Sequence, residues 1–163
     1  PKQFADILSE DSLFQASARG FKEEGFADPL VITGDAFRFI VTEQLKDVGV
    51  TPAGILIEPE GRNTAPTAVC AAPRDPEALI LLVPSVHAVV ESDTFRNVVN
   101  AGAVAAREER IVTFGIAPSR SETGYGWLES GALTHEGVHE FTRFIEKPDA
   151  ASVAELFSPR PKP

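Results

Sequence analysis

Apolar residues along the chain fall into two textures, short unbroken runs and longer stretches at helical spacing, and the two alternate. Asp11 or Ser12 would cap a helix running to about Glu24, with Leu13, Phe14 and Phe21 among its apolar positions. Pro29-Leu30-Val31-Ile32-Thr33 reads as a short buried strand, stopped by Gly34-Asp35. Phe37, Phe39, Ile40, Val41 and Leu45 then recur at helical spacing up to Asp47, and Gly49 ends that element. Gly54-Ile55-Leu56-Ile57 gives a second strand, followed by a turn containing Pro and Asn and an Ala-rich stretch from Thr64 to Ala72. Glu77 to Val83 is apolar without alternation, the texture of a strand covered on both faces. Ser92 or Asp93 caps a helix through Arg110, and Ile111-Val112-Thr113-Phe114-Gly115 supplies a fourth strand.

Strands alternating with helices predict an α/β fold with a doubly wound, mostly parallel sheet. Ligands then sit outside the carboxyl ends of its strands. After Pro118 the texture changes. Gly124, Gly126, Gly131 and Gly137 punctuate short polar and aromatic runs, which suits a β-hairpin. Val138 to Ile145 is expected as a strand, and Asp149 as the cap of a last helix ending near Phe157. Residues 1–157 are therefore expected to form one domain, and Ser158 to Pro163 an irregular Pro-rich tail.

Composition narrows the function classes. With 24 acidic against 15 basic residues and a formal charge of −9, a nucleic-acid binder is disfavoured. No apolar run approaches the ~20 residues of a membrane span. Cys70 is the single cysteine, so neither an intrachain disulfide nor a thiolate zinc cluster is available. These features fit a cytoplasmic protein, and an acidic enzyme still binds an anion where a few Lys and Arg converge.

Four segments fall just after strands, where ligands are expected. In Glu58-Pro59-Glu60-Gly61-Arg62-Asn63-Thr64-Ala65-Pro66, Gly61 permits an unusual backbone angle, and Asn63 or Thr64 can cap the next helix. Free N–H groups beside Arg62 would suit an anion or a nucleotide edge, although a well-capped helix with a surface arginine looks the same. Val83-Pro84-Ser85-Val86-His87 ends the most buried strand, where a lone histidine is more often structural or merely exposed than catalytic. In Glu122-Thr123-Gly124-Tyr125-Gly126-Trp127, glycines flanking an aromatic let backbone approach a ligand closely, as a plain hairpin turn also would. Phe144-Ile145-Glu146-Lys147-Pro148 delivers one carboxylate, suited to sugar hydroxyls, and one ammonium, suited to a phosphate. As a solvated pair the same two residues would contribute under ~1 kcal/mol.

His135-Glu136-Gly137-Val138-His139 matches the H-E-x-x-H pattern of zinc peptidases. That pattern works on a helix, where both imidazoles share one face. Here Gly137 interrupts it in hairpin-like surroundings. Along one strand the two histidines would lie about 13 Å apart, too far to chelate one ion.

Taken in order, six stretches resemble bacterial mannose-1-phosphate guanylyltransferases, a family of sugar-1-phosphate nucleotidylyltransferases. They are Pro1 to Phe4, Glu58 to Pro66, Val83 to Ser85 with His87, Phe114 to Ile116 with Pro118, Glu122 to Gly126, and Phe144 to Pro148. The resemblance implies a Rossmann-like nucleotidyltransferase fold and the reaction of GTP with mannose 1-phosphate to give GDP-mannose and pyrophosphate. It implies in-line attack of the sugar phosphate oxygen on the α-phosphorus, with a divalent cation, normally Mg2+, as cofactor. Lys2 then matches the lysine that reaches the nucleotide phosphates. Glu58, Gly61, Arg62, Asn63 and Thr64 match the nucleotide-binding segment. Tyr125 and Gly126 match the sugar-contacting turn, Glu146 the acid on the sugar hydroxyls, and Lys147 the lysine on the sugar phosphate. Lys2 and Lys147 would be the catalytic pair.

The chain departs from the family in places. The family's glycine-rich loop precedes the Pro-Lys pair, so a partial chain is expected. Val86 stands where the family usually has a magnesium-binding aspartate, and a valine offers no oxygen ligand. Ala71-Ala72-Pro73-Arg74 is shortened where the family carries a longer helix. The resemblance thus implies a guanylyltransferase lineage with impaired activity, or else a non-catalytic module that binds sugar nucleotides.

Overall fold

A computed structural model of the protein describes residues 1–5, 10–21, 25–61, 68–69, 77–86, 92–135 and 137–157. It divides into two compact units, Pro1–Phe95 and Arg96–Pro163.

The first unit is built around a β-α-β element. Strand β1 (Leu30–Gly34) pairs in parallel with β2 (Gly54–Glu58), in a register that sets Leu30 opposite Gly54 and Gly34 opposite Glu58. Helix α1 (Leu13–Arg19) precedes them and helix α2 (Arg38–Asp47) connects them. Ser12, not Asp11, caps α1. The Ser12 hydroxyl accepts from the Gln15 amide at 3.2 Å, and Gln15 Oε1 accepts from the Ser12 amide at 2.9 Å. This reciprocal box satisfies two helix-start donors that would otherwise be orphaned. Helix α1 ends at Arg19, short of the expected Glu24, and residues 22–24 lie outside the described residues. Gly49 ends α2 as expected, at φ +66°. Its amide reaches the Lys46 carbonyl at 3.0 Å and the Val50 amide reaches Leu45 at 2.9 Å, the Schellman pattern.

Phe14, Val41, Leu45 and Val50 form the buried core of this unit, with Phe4, Phe37, Val31 and Ile55 packed around them. Gln44 ties the pieces together. Its Oε1 accepts from the Ser12 hydroxyl at 2.8 Å, its carbonyl from Gln15 Nε2 at 3.3 Å, and its Nε2 donates to the Phe4 carbonyl at 3.2 Å. Both the oxygen and the nitrogen of this side-chain amide thereby have a partner.

Helix α3 (Ser92–Ala106), most of which belongs to the second unit, stops four residues before the expected Arg110. Strands β3 (Trp127–His135) and β4 (Val138–Ile145) make the expected hairpin, antiparallel, turning at Gly137 with φ +74°. Glu129 stands opposite Arg143 in the register, and their side chains pair at 3.1 Å. Asp149 caps helix α4 (Ala150–Phe157), accepting from the Ser152 amide at 2.8 Å, and Val153 on that helix is fully buried.

Two expected strands do not form. Among the described residues, Glu77–Val83 and Ile111–Gly115 belong to neither sheet. Leu79, Ile80 and Leu82 are each about two-fifths exposed, so this run is not covered on both faces. An apolar run sets strand propensity, but a ladder also needs a partner edge at the right register. The Ile111–Gly115 segment packs instead on α3. A Cβ at Gly102 would lie 3.1 Å from Val112 Cγ1 and 3.2 Å from Phe114 Cε1, so the missing side chain admits those two. The mostly parallel sheet is therefore represented, among the described residues, by one parallel pair in the first unit, and the second unit holds a separate antiparallel hairpin. The Ala-rich Thr64–Ala72 stretch, Cys70, Pro73 and the 158–163 tail lie largely or wholly outside the described residues.

Past α3, Glu109 takes φ +62°, a left-handed conformation that favours glycine. Glu109→Gly is expected to raise stability by about 0.5–1 kcal/mol, the backbone relief exceeding glycine's entropy in the unfolded chain. A higher urea midpoint at unchanged slope would show it.

Candidate active site

In the first unit, Lys2 opens a 3-10 turn (Lys2–Phe4) and is exposed. The turn is anchored by Phe4, whose ring sits 5.8 Å from that of Phe14 and 5.5 Å from that of Phe37. Glu58 ends β2 at the carboxyl side of the parallel pair, where the fold places ligands, and is half-buried. Gly61 follows in open space, with no atom within 4 Å of where a Cβ would stand. Its backbone is ordinary: among the described residues only Gly25, Gly49 and Gly137 are glycines at positive φ. The expectation that Gly61 supplies an unusual angle is corrected: its φ is not in the positive range, and a Cβ there would meet no neighbour. Arg62, Asn63 and Thr64, and likewise His87, lie outside the described residues. Val86 is half-buried in a turn after the 79–84 segment.

The second unit brings the sugar-phosphate candidates together. The hairpin ladder begins with Trp127 opposite Ile145 and Leu128 opposite Phe144. Continued past its open end, that register sets Gly126 opposite Glu146 and Tyr125 opposite Lys147. The geometry agrees. A Cβ at Gly126 would stand 3.2 Å from Glu146 Oε2 and only 2.5 Å from the Phe144 ring, which no real side chain tolerates. Gly126 is thus needed for space. Glu146 Oε1 lies 3.4 Å from Lys147 Nζ, and both side chains are about three-fifths exposed or more. Lys147 adopts φ +41° immediately before the buried Pro148. Residues before proline favour extended backbone, so this conformation is strained. The hairpin mouth therefore presents a carboxylate, an ammonium and a glycine backbone together, with the exposed Tyr125 one residue before the glycine. Such a set can bind a hydroxylated ring and an anion at once.

The turn leading into this mouth is itself braced. Glu122 Oε1 accepts from the Gly124 amide at 3.1 Å, its Oε2 pairs with Arg120 at 3.1 Å, and its carbonyl accepts from the Trp127 indole at 2.8 Å. The bond from the Gly124 amide, then that from Arg120, holds the Glu122 carboxyl below its ordinary range. The Ser152 amide does the same for Asp149. Both folded values are depressed, so their stabilising contribution is complete above the ordinary carboxylate range and is lost as pH falls through the lowered values. The melting temperature of wild type is expected to fall as pH drops below about 4. Asp149→Asn keeps the cap without titrating, so its melting curve should fall less steeply over that range.

The bracing by Glu122 and the ring of Phe144 under Gly126 were not singled out by sequence reasoning. The signal was present in the Glu-x-Gly spacing, since a carboxylate two residues before a glycine can close a local turn on its amide. The H-E-x-x-H pattern is split across the hairpin. His135 ends β3, Glu136 lies outside the described residues, Gly137 turns, and His139 belongs to β4. In the register His139 faces Leu133, and His135 faces Val138. His139 Nδ1 lies 3.4 Å from the Gly131 carbonyl oxygen. The helical geometry of a zinc peptidase does not arise. Among the described residues, no three or more His, Cys, Asp or Glu side chains gather as a metal site.

The pattern of the nucleotidyl transferase family matches residues 1–159. The chain belongs to that family. It is 40% identical over 162 residues to a mannose-1-phosphate guanylyltransferase of Sinorhizobium fredii, covering 95% of this chain and 31% of the relative. It is 40% identical over 156 residues to the xanthan biosynthesis protein XanB of Xanthomonas campestris, covering 93% and 33%. To the alginate biosynthesis protein AlgA of Pseudomonas aeruginosa it is 37% identical over 162 residues, covering 96% and 34%. The chain thus spans about a third of the length of these relatives. Among solved structures, a mannose-6-phosphate isomerase from Helicobacter pylori superposes with a TM-score of 0.81 at 27% identity, covering 96% of this chain and 59% of that one. These matches agree with the expected α/β nucleotidyltransferase fold, and no described helix is long and apolar enough to cross a membrane.

Proposed function

We propose that this chain is the nucleotidyltransferase part of a mannose-1-phosphate guanylyltransferase, joining GTP and mannose 1-phosphate into GDP-mannose with release of pyrophosphate. The observation that carries the reading is the hairpin mouth. There Gly126 stands against Glu146, and Lys147 is held beside it in a strained backbone. Glu146 would accept from sugar hydroxyls, Lys147 would neutralise the sugar phosphate, and Tyr125 would lie along the ring. Lys2 is assigned to the nucleotide phosphates. Glu58 with the Gly61-Arg62-Asn63-Thr64 segment is assigned to the nucleoside. The names of the relatives support the substrates, and the biosynthetic reaction suits a cytoplasmic protein.

The reaction takes place by positioning and charge stabilisation, without a covalent enzyme intermediate. In the family a divalent cation, normally magnesium, supplies charge neutralisation at the phosphates. Among the described residues no three or more His, Cys, Asp or Glu gather as a site for it, and the Val86 side chain has no oxygen to offer. Residues 1–163 alone are therefore expected to turn over far more slowly than a full-length relative. The loss at Val86 also favours a second reading, a module that binds sugar nucleotides without catalysis.

Incubation with GTP, mannose 1-phosphate and magnesium, with GDP-mannose and pyrophosphate measured, tests the assignment. Little or no product together with saturable binding of GDP-mannose is expected. Turnover at the rate of a full-length relative assayed in parallel would overturn the impaired-activity reading. Failure to bind both mannose 1-phosphate and GDP-mannose would overturn the guanylyltransferase reading itself. Binding of GDP-mannose indifferent to magnesium favours the non-catalytic module.

A further inference from the structure

The Glu122–Trp127 turn carries more local bonding than a connecting loop requires. A single residue, Glu122, uses both carboxylate oxygens and its carbonyl, to the Gly124 amide, to Arg120 and to the Trp127 indole. Those bonds bracket Tyr125 and Gly126 from both sides. Gly126 in turn has almost no freedom, since a Cβ there would strike the Phe144 ring and crowd Glu146. A turn that relaxed by about an ångström would move the Gly126 backbone away from Glu146, and such misplacement at a binding site is costly.

We propose that Glu122 is a positioning residue for sugar-phosphate binding, acting through the turn it closes and not by touching the ligand. Its Oε1 bond to the Gly124 amide sets the path of the backbone into Gly126. The carbonyl bond to Trp127 fixes where β3 begins. Arg120 is a secondary support: its side chain is three-quarters exposed, and exposed pairs contribute little. The effect on ligand rests on the guanylyltransferase reading, whereas the effect on the turn does not.

Trp127 is the sole tryptophan of the chain, so its emission reports on this turn directly. The full chain would be compared with Glu122→Gln, Glu122→Ala and Arg120→Ala, with far-UV circular dichroism confirming the fold of each. Mannose 1-phosphate is the probe, titrated by calorimetry. Glu122→Gln retains a side-chain carbonyl for the Gly124 amide, so its emission should match wild type and its affinity should stay within about threefold. Arg120→Ala should behave similarly. Glu122→Ala should red-shift the Trp127 emission and weaken mannose 1-phosphate binding about tenfold or more.

Wild-type emission and wild-type affinity in Glu122→Ala would overturn the proposal. A red shift without loss of affinity would overturn its functional half. Should Glu122→Ala fail to fold, Glu122→Asp, whose carboxylate is one methylene short, replaces it with the same expected signs. Should wild type bind neither mannose 1-phosphate nor GDP-mannose, the guanylyltransferase reading fails, and the emission comparison still decides whether Glu122 sets the turn.

Discussion

Gly126→Ala is expected to weaken mannose 1-phosphate binding by about 5- to 150-fold while leaving the fold of the first unit intact. The added methyl would sit 2.5 Å from Phe144 Cε2 and Cζ and 3.2 Å from Glu146 Oε2. Contact at 2.5 Å is not sustainable, so either the Phe144 ring or the Gly126 backbone must move. Phe144 is more than half exposed and can swing outward, but it does so at the wall of the proposed sugar site. Glu146 is displaced along with it. Overpacking of this kind costs about 1–3 kcal/mol, a factor of about 5 to 150 where the distortion falls on binding. A fluorescence titration of Trp127 would measure it. Unchanged affinity would show that the close approach at Gly126 serves only the hairpin.

Leu45→Ala should produce the largest loss of stability. Leu45 is 1% exposed, on the inner face of α2 beside Val41 and in one cluster with Phe14 and Val50. Its truncation removes the transfer free energy of a buried side chain and leaves a cavity, together about 2–5 kcal/mol. Whole domains are stable by only about 5–15 kcal/mol. The Schellman bond from the Val50 amide ends on the Leu45 carbonyl and survives, so helix α2 should still stop at Gly49. A drop in melting temperature of about 10 °C is expected by calorimetry. A drop under 2 °C would mean that this cluster is not the core of its unit.

Local chemistry was the most legible part of the sequence. Ser12 as a cap, Gly49 as a stop, Gly137 as a hairpin turn and Asp149 as a cap each depend on a residue and its near neighbours. So does the hairpin after residue 118. Strands 77–83 and 111–115 were over-read, because an apolar run reveals propensity and not its hydrogen-bonding partner. The second of these found α3 through Gly102, a contact that no window along the chain contains. At the site, Glu146 and Lys147 could be named from residue type. Their position against Gly126 follows from strand register, which becomes visible only when the hairpin is formed. Gly61 needs neither a positive φ nor the space of a missing Cβ, since a glycine in sequence does not say whether its angle or its smallness is used.

The central claim is that the hairpin mouth binds a sugar phosphate through Lys147. Calorimetric titration of mannose 1-phosphate into the full chain and into Lys147→Ala tests it most directly. Loss of a charge-assisted bond is typically about 1.5–3 kcal/mol, so affinity should fall about 10- to 150-fold in the variant. Wild type should show saturable binding with one site. Equal affinities in the two proteins, or no binding to wild type, would contradict the claim.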